Sequence, residues 1–156
     1  MSDNVLAAGE QTPIVRFRRA QSILWGTGDT GPLREILTKY PDMEFAGGHT
    51  PFRAWMAMLD GNYAEAERLL AASPRQDFQD IDFSFYYPKS WYQAMIARAK
   101  GDSARATAAF RECREILAER LIVKPEHART IAVLAQVDAN LAKKIWRLAR
   151  RNMPSI

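Results

Sequence analysis

The chain has 156 residues, of which 47% are hydrophobic and 26% charged, and it carries a net charge of +4. This is the size of one domain and the composition of a soluble globular protein. A single cysteine, Cys113, excludes an internal disulfide and a zinc site built from several cysteines. No segment has the apolar length of a signal peptide or of a membrane span. We therefore expect a soluble, cytoplasmic protein with no membrane association.

The first predicted hairpin covers about residues 13–41. Pro13 begins an amphipathic helix, and the glycine-rich turn at 26–31 follows it. Pro32 suits the first turn of a short second helix, because proline lacks the N–H that this position leaves unpaired. Pro41 ends the hairpin.

The second predicted hairpin covers about residues 50–74. Thr50 followed by Pro51 predicts a helix cap and a first helical position. Gly61 ends this helix, and the second helix of the pair ends near Ser73. Apolar residues recur every three or four positions in both segments, which is typical of amphipathic helices.

The third predicted hairpin covers about residues 88–124. Pro88 begins its first helix, the turn lies at 100–102, and either Asp102 or Ser103 caps a long second helix. This segment shows the clearest helical period in the chain.

The last predicted unit covers residues 125–151 and is either a degenerate hairpin or one long capping helix. Pro125 and Glu126 suit the first turn of a helix, since Glu126 complements the positive helix end. No segment of the chain predicts a β-strand.

The most informative pattern is a recurrence at an offset of 40 residues, in which Gly61–Ala66 returns as Gly101–Ala106. The same offset relates Ala54 to Ala94 and Leu70 to Phe110. A small-residue turn between two amphipathic helices, repeated along the chain, indicates a helical-repeat scaffold.

These positions resemble the tetratricopeptide repeat (TPR), over roughly residues 47–141. The matching positions of the second hairpin are Ala54, Gly61, Tyr63, Ala66 and Leu70. Those of the third are Ala94, Gly101, Ser103, Ala106 and Phe110, where Ser103 replaces the usual aromatic residue. The chain also resembles the repeat regions of bacterial regulators that carry cyclase or winged-helix domains, here standing alone. The resemblance implies an all-α fold in which antiparallel helix hairpins stack as a short right-handed superhelix of about seven helices, within one domain over residues 1–156.

The resemblance also implies a function, because the first helices of such repeats line a concave face that receives a peptide or protein. It assigns these partner-binding residues: Arg18, Trp25, Trp55, Met58, Trp91, Met95 and Arg98. Tryptophan, methionine and arginine supply anchors and adaptable contact area in interfaces. Trp55 and Trp91 have a second interpretation as core residues, since a helical stripe does not separate core from contact surface.

The segment 78–87 contains five aromatic residues between two hairpins. It is either a small core under the connection or an adhesive surface for a partner, since so many rings are too apolar to leave in water. The three aspartates around it, Asp77, Asp80 and Asp82, lack the spacing of a calcium loop.

Residues that could support catalysis are few. His49 and His127 lie far apart in sequence, and Cys113 falls on an apolar stripe, where a thiol is inert. We therefore expect no enzyme activity, no cofactor and no metal site.

We predict a non-catalytic scaffold that binds a protein or peptide. Two alternatives stay open. The basic segment 143–151, with Trp146 in it, suits contacts to nucleic acid phosphates and bases. The open end of the repeat array could instead pair with a second copy of the chain as a homodimer.

Overall fold

The computed structural model of the chain describes residues 12–41, 49–79 and 86–151. Those ranges contain seven helices and one two-stranded sheet. The fold is therefore all-α with about seven helices, as the sequence predicts. The helices are α1 (Pro13–Thr27), α2 (Gly31–Lys39), α3 (His49–Leu59), α4 (Tyr63–Ala72), α5 (Lys89–Ala99), α6 (Ser103–Val123) and α7 (Ala128–Arg151), and the strands are β1 (Asp77–Gln79) and β2 (Tyr86–Pro88).

Two units follow one another along the chain, Met1–Phe45 and Ala46–Ile156. The first contains the hairpin α1–α2, and the second contains the remaining described elements. The superhelical stacking of the hairpins and their membership of a single domain stay predictions.

The turn of the first unit reverses the chain between α1 and α2. Gly28 adopts a φ of 77° and donates its N–H to the carbonyl of Leu24 at 2.9 Å. Asp29 Oδ1 accepts the N–H of Gly31 at 2.8 Å, so that its carboxylate holds the start of α2. The buried residues of this hairpin are Phe17, Ala20, Gln21, Leu33, Ile36 and Leu37.

The recurrence in the sequence corresponds to a repeated turn in the second unit. Gly61 and Gly101 have φ values of 73° and 81°, a left-handed conformation that glycine adopts without the strain of a Cβ. After each glycine, one residue donates its N–H across the turn to the helix before it: Asn62 to Ala57 O at 2.8 Å, and Asp102 to Ala97 O at 2.9 Å. The α3–α4 and α5–α6 turns are thus built alike.

Both second helices of these hairpins begin with the same type of cap. Asn62 Oδ1 accepts the N–H of Glu65 at 3.2 Å, and Asp102 Oδ1 accepts the N–H of Arg105 at 2.9 Å. The sequence left Asp102 and Ser103 as alternative caps for α6. The hydrogen bond assigns the cap to Asp102.

Two hydrophobic clusters form the core of the second unit, and α5 contributes to both. The first lies among α3, α4, β1 and α5 and consists of Ala54, Ala66, Leu70, Phe78 and Ile96. The second lies among α5, α6 and α7 and consists of Ala94, Ala109, Phe110, Cys113, Leu117, Val133 and Val137. Because α5 is covered on more than one side, its apolar residues are not confined to one stripe.

Charged side chains join the second hairpin of the chain to the third. Glu67 on α4 lies 3.1 Å from Lys100 Nζ and 2.8 Å from Arg105 Nη1. All of these groups are partly exposed, and such ion pairs contribute at most about 1 kcal/mol. Their main effect is to pair particular residues of the two neighbouring hairpins, and their contribution to the stability of the fold is small.

The expectation that the chain contains no strand is wrong. β1 pairs antiparallel with β2, and Phe78 stands opposite Tyr87. Strands of three residues are too short to show an alternating pattern, and their pairing joins segments that are distant in sequence. For this reason the local periodicity gave no indication of them.

The described aromatic residues of the segment 78–87 pack into the core of the second unit. Phe78 is 1% exposed and meets the ring of Tyr92 edge-on at 5.5 Å. Tyr86 and Tyr87 are partly buried against the α5–α7 cluster. Phe83 and Phe85, to which the same prediction applies, lie outside the described residues.

The sequence-based start of the last helix is also wrong. Pro125 and Glu126 lie in a turn, and α7 begins at Ala128. The ring of His127 caps it, because its Nδ1 accepts the N–H of Thr130 at 3.3 Å and lies 2.7 Å from the Thr130 hydroxyl. The interpretation as one long helix is correct, since α7 continues to Arg151.

Helix α3 likewise begins two residues before Pro51, the predicted first helical position. It starts at His49, so Thr50 lies inside its first turn and is not the cap before it.

The two candidate caps of α6 can be separated by substitution. Asp102→Ala removes the acceptor of the Arg105 N–H and should lower the free energy of unfolding by about 1 kcal/mol. Ser103→Ala, one residue later, removes no cap and should change it by less than about 0.5 kcal/mol. Urea unfolding followed by circular dichroism measures both. Equal losses in the two variants would contradict the assignment of the cap.

Candidate functional site

One small apolar cavity, which we call the α3–α5 groove, brings together residues of the first helices of two successive hairpins. Its lining includes residues that the sequence assigns to a partner-binding face: Trp55, Met58, Trp91 and Met95. Ala54, Tyr92 and Ile96 complete the lining, and the exposed surface of the groove is almost entirely apolar.

Helical spacing explains why these residues share a face. The α3 residues Ala54, Trp55 and Met58 stand at i, i+1 and i+4. The α5 residues follow a similar pattern, beginning at Trp91. Side chains at these separations lie on one side of a helix, and α3 and α5 are in contact. The groove therefore follows from two short helices that present matching faces.

Trp91 occupies both core and groove. Its ring lies 4.7 Å from that of Tyr87 and 5.0 Å from that of Tyr92, measured between ring centroids. It packs against the α5–α7 cluster and also lines the groove, and it is half-buried overall. Trp55 is half-buried too. Trp91 is thus partly a core residue, and contact of either tryptophan with a partner stays a prediction.

Trp91, which lines the groove, also carries a buried polar group, its indole N–H. Its Nε1 is buried and has no hydrogen-bond partner among the described residues. A buried donor without an acceptor costs about 1–3 kcal/mol. Because this nitrogen is buried, an acceptor on a ligand would recover that free energy only after neighbouring side chains move.

The size of the groove limits what enters it. Its volume is about 20 Å³, little more than the space that one water-sized group needs. Met58 and Met95 form part of its wall, and methionine side chains change rotamer readily. The groove as it stands accepts a methyl-sized group, and movement of the methionines would admit a larger one.

Three of the predicted site residues do not line this groove. Arg98 is exposed at the end of α5, and its Nη1 donates to Asn140 Oδ1 on α7. Arg18 is exposed and Trp25 is 51% exposed, and both lie in α1 of the first unit. For Arg98 the structure thus shows an intramolecular bond that the sequence did not indicate.

Tyr92 and Ile96 line the groove and were missed by the sequence analysis. A signal for them existed, because each follows directly after a predicted site residue, Trp91 or Met95. Two adjacent residues of a helix are 100° apart, which is close enough for both to border one opening.

Cys113 is buried, and its thiol is unreactive at neutral pH. It is 0% exposed within the α5–α7 cluster. Burial raises the pKa of its thiol to about 12, the nearby Ser90 hydroxyl opposes the rise, and the charge of Glu112 adds to it. At neutral pH the nucleophilic thiolate is therefore absent, as expected from its place on an apolar stripe.

The remaining candidates for chemistry are the two histidines. His127 caps α7, and the side chain of His49 lies outside those described. No group of three or more histidine, cysteine, aspartate or glutamate side chains within the described ranges could hold a metal ion. Among the helices in those ranges, none has the length and apolarity to cross a membrane.

The basic segment 143–151 forms the end of α7, but its side chains lie outside those described. The predicted contacts of its cationic side chains and of Trp146 with nucleic acid therefore stay a prediction from the sequence.

Comparison of the chain with protein-family models, with curated proteins and with solved structures gives no match.

The raised pKa of Cys113 predicts a pH dependence of stability. The thiol has a pKa near 9.0 when unfolded and about 12 when folded. The stability that it contributes is complete below pH 9 and is lost as the pH rises from 9 towards 12, because the unfolded state releases the proton first. Urea unfolding between pH 8 and 10.5 gives the free energy of unfolding as a function of pH. Above pH 9 this free energy should fall more steeply with pH in the wild type than in Cys113→Ala, by up to about 1.4 kcal/mol per pH unit.

Both proteins contain the same tyrosines and lysines, so the difference between their slopes isolates the thiol. Identical slopes in the two proteins, measured in the presence of a reductant, would contradict the burial of Cys113.

Proposed function

We propose that this chain is a non-catalytic interaction module that binds a peptide segment of a partner protein at the α3–α5 groove. This is also the function that the resemblance to tetratricopeptide repeats implies. The proposal assigns binding to Trp55, Met58, Trp91 and Met95, and it leaves Arg98 a supporting role through its bond to α7.

The observation that carries the proposal is the convergence of four tryptophan and methionine side chains on one apolar opening. They come from two helices that are separated in sequence by α4 and the two-stranded sheet. Such side chains dominate the energetically important positions of protein interfaces. In the core of a protein they would be expected to close the opening completely.

The ligand follows from the shape and polarity of the groove. One small apolar side chain, of the size of alanine or valine, enters between Met58 and Met95. A backbone carbonyl beside it accepts the indole N–H of Trp91. A flexible peptide offers both groups within one residue.

The first test is a matched pair of substitutions on α3. A random peptide library displayed on phage is selected against the purified chain, and the affinity of a selected peptide is measured by isothermal titration calorimetry. Met58→Glu places a charge in the groove and should weaken binding at least tenfold. Leu59→Glu, one residue further along the same helix and 55% exposed, should leave it unchanged.

Circular dichroism verifies that both variants keep their helicity. If Met58→Glu unfolds, Met95→Lys replaces it in the comparison. Equal affinity of wild type and folded groove variants would place the peptide elsewhere and overturn the proposal.

The hydrogen bond to Trp91 can be observed directly. The chain has four tryptophans, so a ¹H–¹⁵N spectrum contains four indole signals. The signal that is missing from the spectrum of Trp91→Phe belongs to Trp91. Addition of the selected peptide should move the Trp91 proton downfield, because a hydrogen bond deshields it. An unchanged Trp91 signal at saturating peptide would exclude the carbonyl contact.

A further inference from the structure

The α3–α5 groove contains two methionines, Met58 on α3 and Met95 on α5. Both side chains are half-buried, whereas Met56, also on α3, is 5% exposed. A peroxide converts a thioether to a sulfoxide, and it must touch the sulfur to do so. Among the methionines of the described ranges, the two of the groove are therefore the ones that an oxidant reaches first.

Met95 is a close neighbour of Trp91. It stands four residues after Trp91 on α5, so the two side chains lie on the same face of the helix. Long side chains of a helix lean towards its N-terminus, which directs the Met95 thioether towards the turn of Trp91. Both residues line the groove, and both pack against the α5–α7 cluster. The thioether and the indole thus share two sets of neighbours.

The indole N–H of Trp91 needs an acceptor that the reduced protein does not give it. Its Nε1 is buried and makes no hydrogen bond within the part of the chain that the structure describes. The thioether of Met95 is only a weak acceptor, whereas oxidation gives the same side chain a polar oxygen. An oxygen that forms on Met95 starts among the neighbours of the indole and does not have to enter from solvent.

The size of the groove matches the change. Its volume of about 20 Å³ is close to the space of one water-sized group, and a single oxygen atom is of that size. An oxygen on Met95 would fill most of this volume. It would also place a polar atom on a surface that is otherwise almost entirely apolar.

We propose that Met95 is an oxidation site whose sulfoxide oxygen accepts the indole N–H of Trp91 and closes the α3–α5 groove. The sulfoxide takes the volume and the donor that the proposed peptide ligand would use, so oxidation releases that ligand. This last step rests on the function proposed above. The modification and its hydrogen bond do not.

The oxidant is a peroxide, and hydrogen peroxide is the simplest of the class. A lone pair of the Met95 sulfur attacks one peroxide oxygen, so that an S–O bond forms while the O–O bond breaks. Sulfur loses two electrons to the peroxide. The hydroxide that leaves takes the proton of the transferred oxygen and departs as water. Methionine sulfoxide reductases reverse the change with two electrons from a dithiol, and the oxygen leaves as water.

The first test follows the Trp91 indole signal in a ¹H–¹⁵N spectrum of the full chain before and after treatment with hydrogen peroxide. It should move downfield, because the new hydrogen bond deshields the proton. Met58→Leu should keep this shift and Met95→Leu should lose it. An unmoved Trp91 signal, in protein whose Met95 is shown by mass spectrometry to be the sulfoxide, would overturn the proposal.

The rate of oxidation is measured by mass spectrometry of proteolytic fragments taken at intervals. Met95 should be converted at least fivefold faster than the buried Met56, while circular dichroism shows that the helices persist. Equal rates at the two positions in the folded chain would contradict a reactive site at the groove.

A variant that needs no oxidant tests the geometry alone. Met95→Gln carries an amide oxygen the same number of bonds from the backbone as the sulfoxide oxygen. Its Trp91 signal should lie downfield of the wild-type position without any peroxide. A signal at the wild-type position would show that position 95 does not reach the indole, and this would overturn the proposal even if oxidation unfolded the wild type.

The effect on the ligand is measured with the selected peptide by isothermal titration calorimetry, comparing each protein with its own unoxidised form. Oxidation should weaken binding at least tenfold in Met58→Leu, which retains Met95, and less than threefold in Met58→Leu/Met95→Leu. Equal losses would place the effect at another residue and overturn the control of the groove by Met95. Absence of peptide binding before oxidation would contradict the proposed function, while the indole shift would still support the oxidation site.

Discussion

The second unit depends on the two-sided burial of one short helix, α5. Ala94, which is 0% exposed, faces the cluster shared with α6 and α7, and Ile96, at 3%, faces the cluster shared with α3 and α4. The small side chain of Ala94 lets the neighbouring helices approach α5 closely, as dense packing requires. Because α5 is packed on both sides, only a narrow strip of its surface is left outside the two clusters. Trp91 and Met95 lie along this strip and line the α3–α5 groove. The position of the α3–α5 groove is therefore a consequence of the way the core is divided.

The elements that the sequence predicted well are those whose cause is local. Gly61 and Gly101 mark turns because a left-handed residue is needed there. The sequence also narrowed the cap of α6 to Asp102 or Ser103, and the structure shows that Asp102 accepts the N–H of a residue three positions away. The burial of Ala54 and Ala94 follows from their equivalent places in the repeated pattern. For the turns and the cap the information lies in neighbouring residues, whereas the burial of Ala54 and Ala94 is indicated by the recurrence at an offset of 40 residues.

The elements that the sequence missed depend on distant contacts or on uncommon residue types. The pairing of Phe78 with Tyr87 joins two strands across a connection, and no local period announces it. The cap of α7 comes from the ring of His127, which is not among the usual cap residues, so Pro125 appeared to be the better start. The bond of Arg98 to Asn140 links residues 42 positions apart, which a single sequence cannot reveal. For the candidate site, the sequence predicted which residues of α3 and of α5 share a face. That the two faces form one groove depends on the contact of α3 with α5, which the sequence did not show.

The α3–α5 groove is small and apolar, and this limits what it can discriminate. It would distinguish ligands by the shape of one side chain, since a cavity of about 20 Å³ excludes all but the smallest groups until its methionines move. Among related ligands, differences in affinity arise mainly from the dissociation rate, because close packing acts after encounter. Ligands of the α3–α5 groove should therefore differ more in how slowly they leave than in how fast they bind.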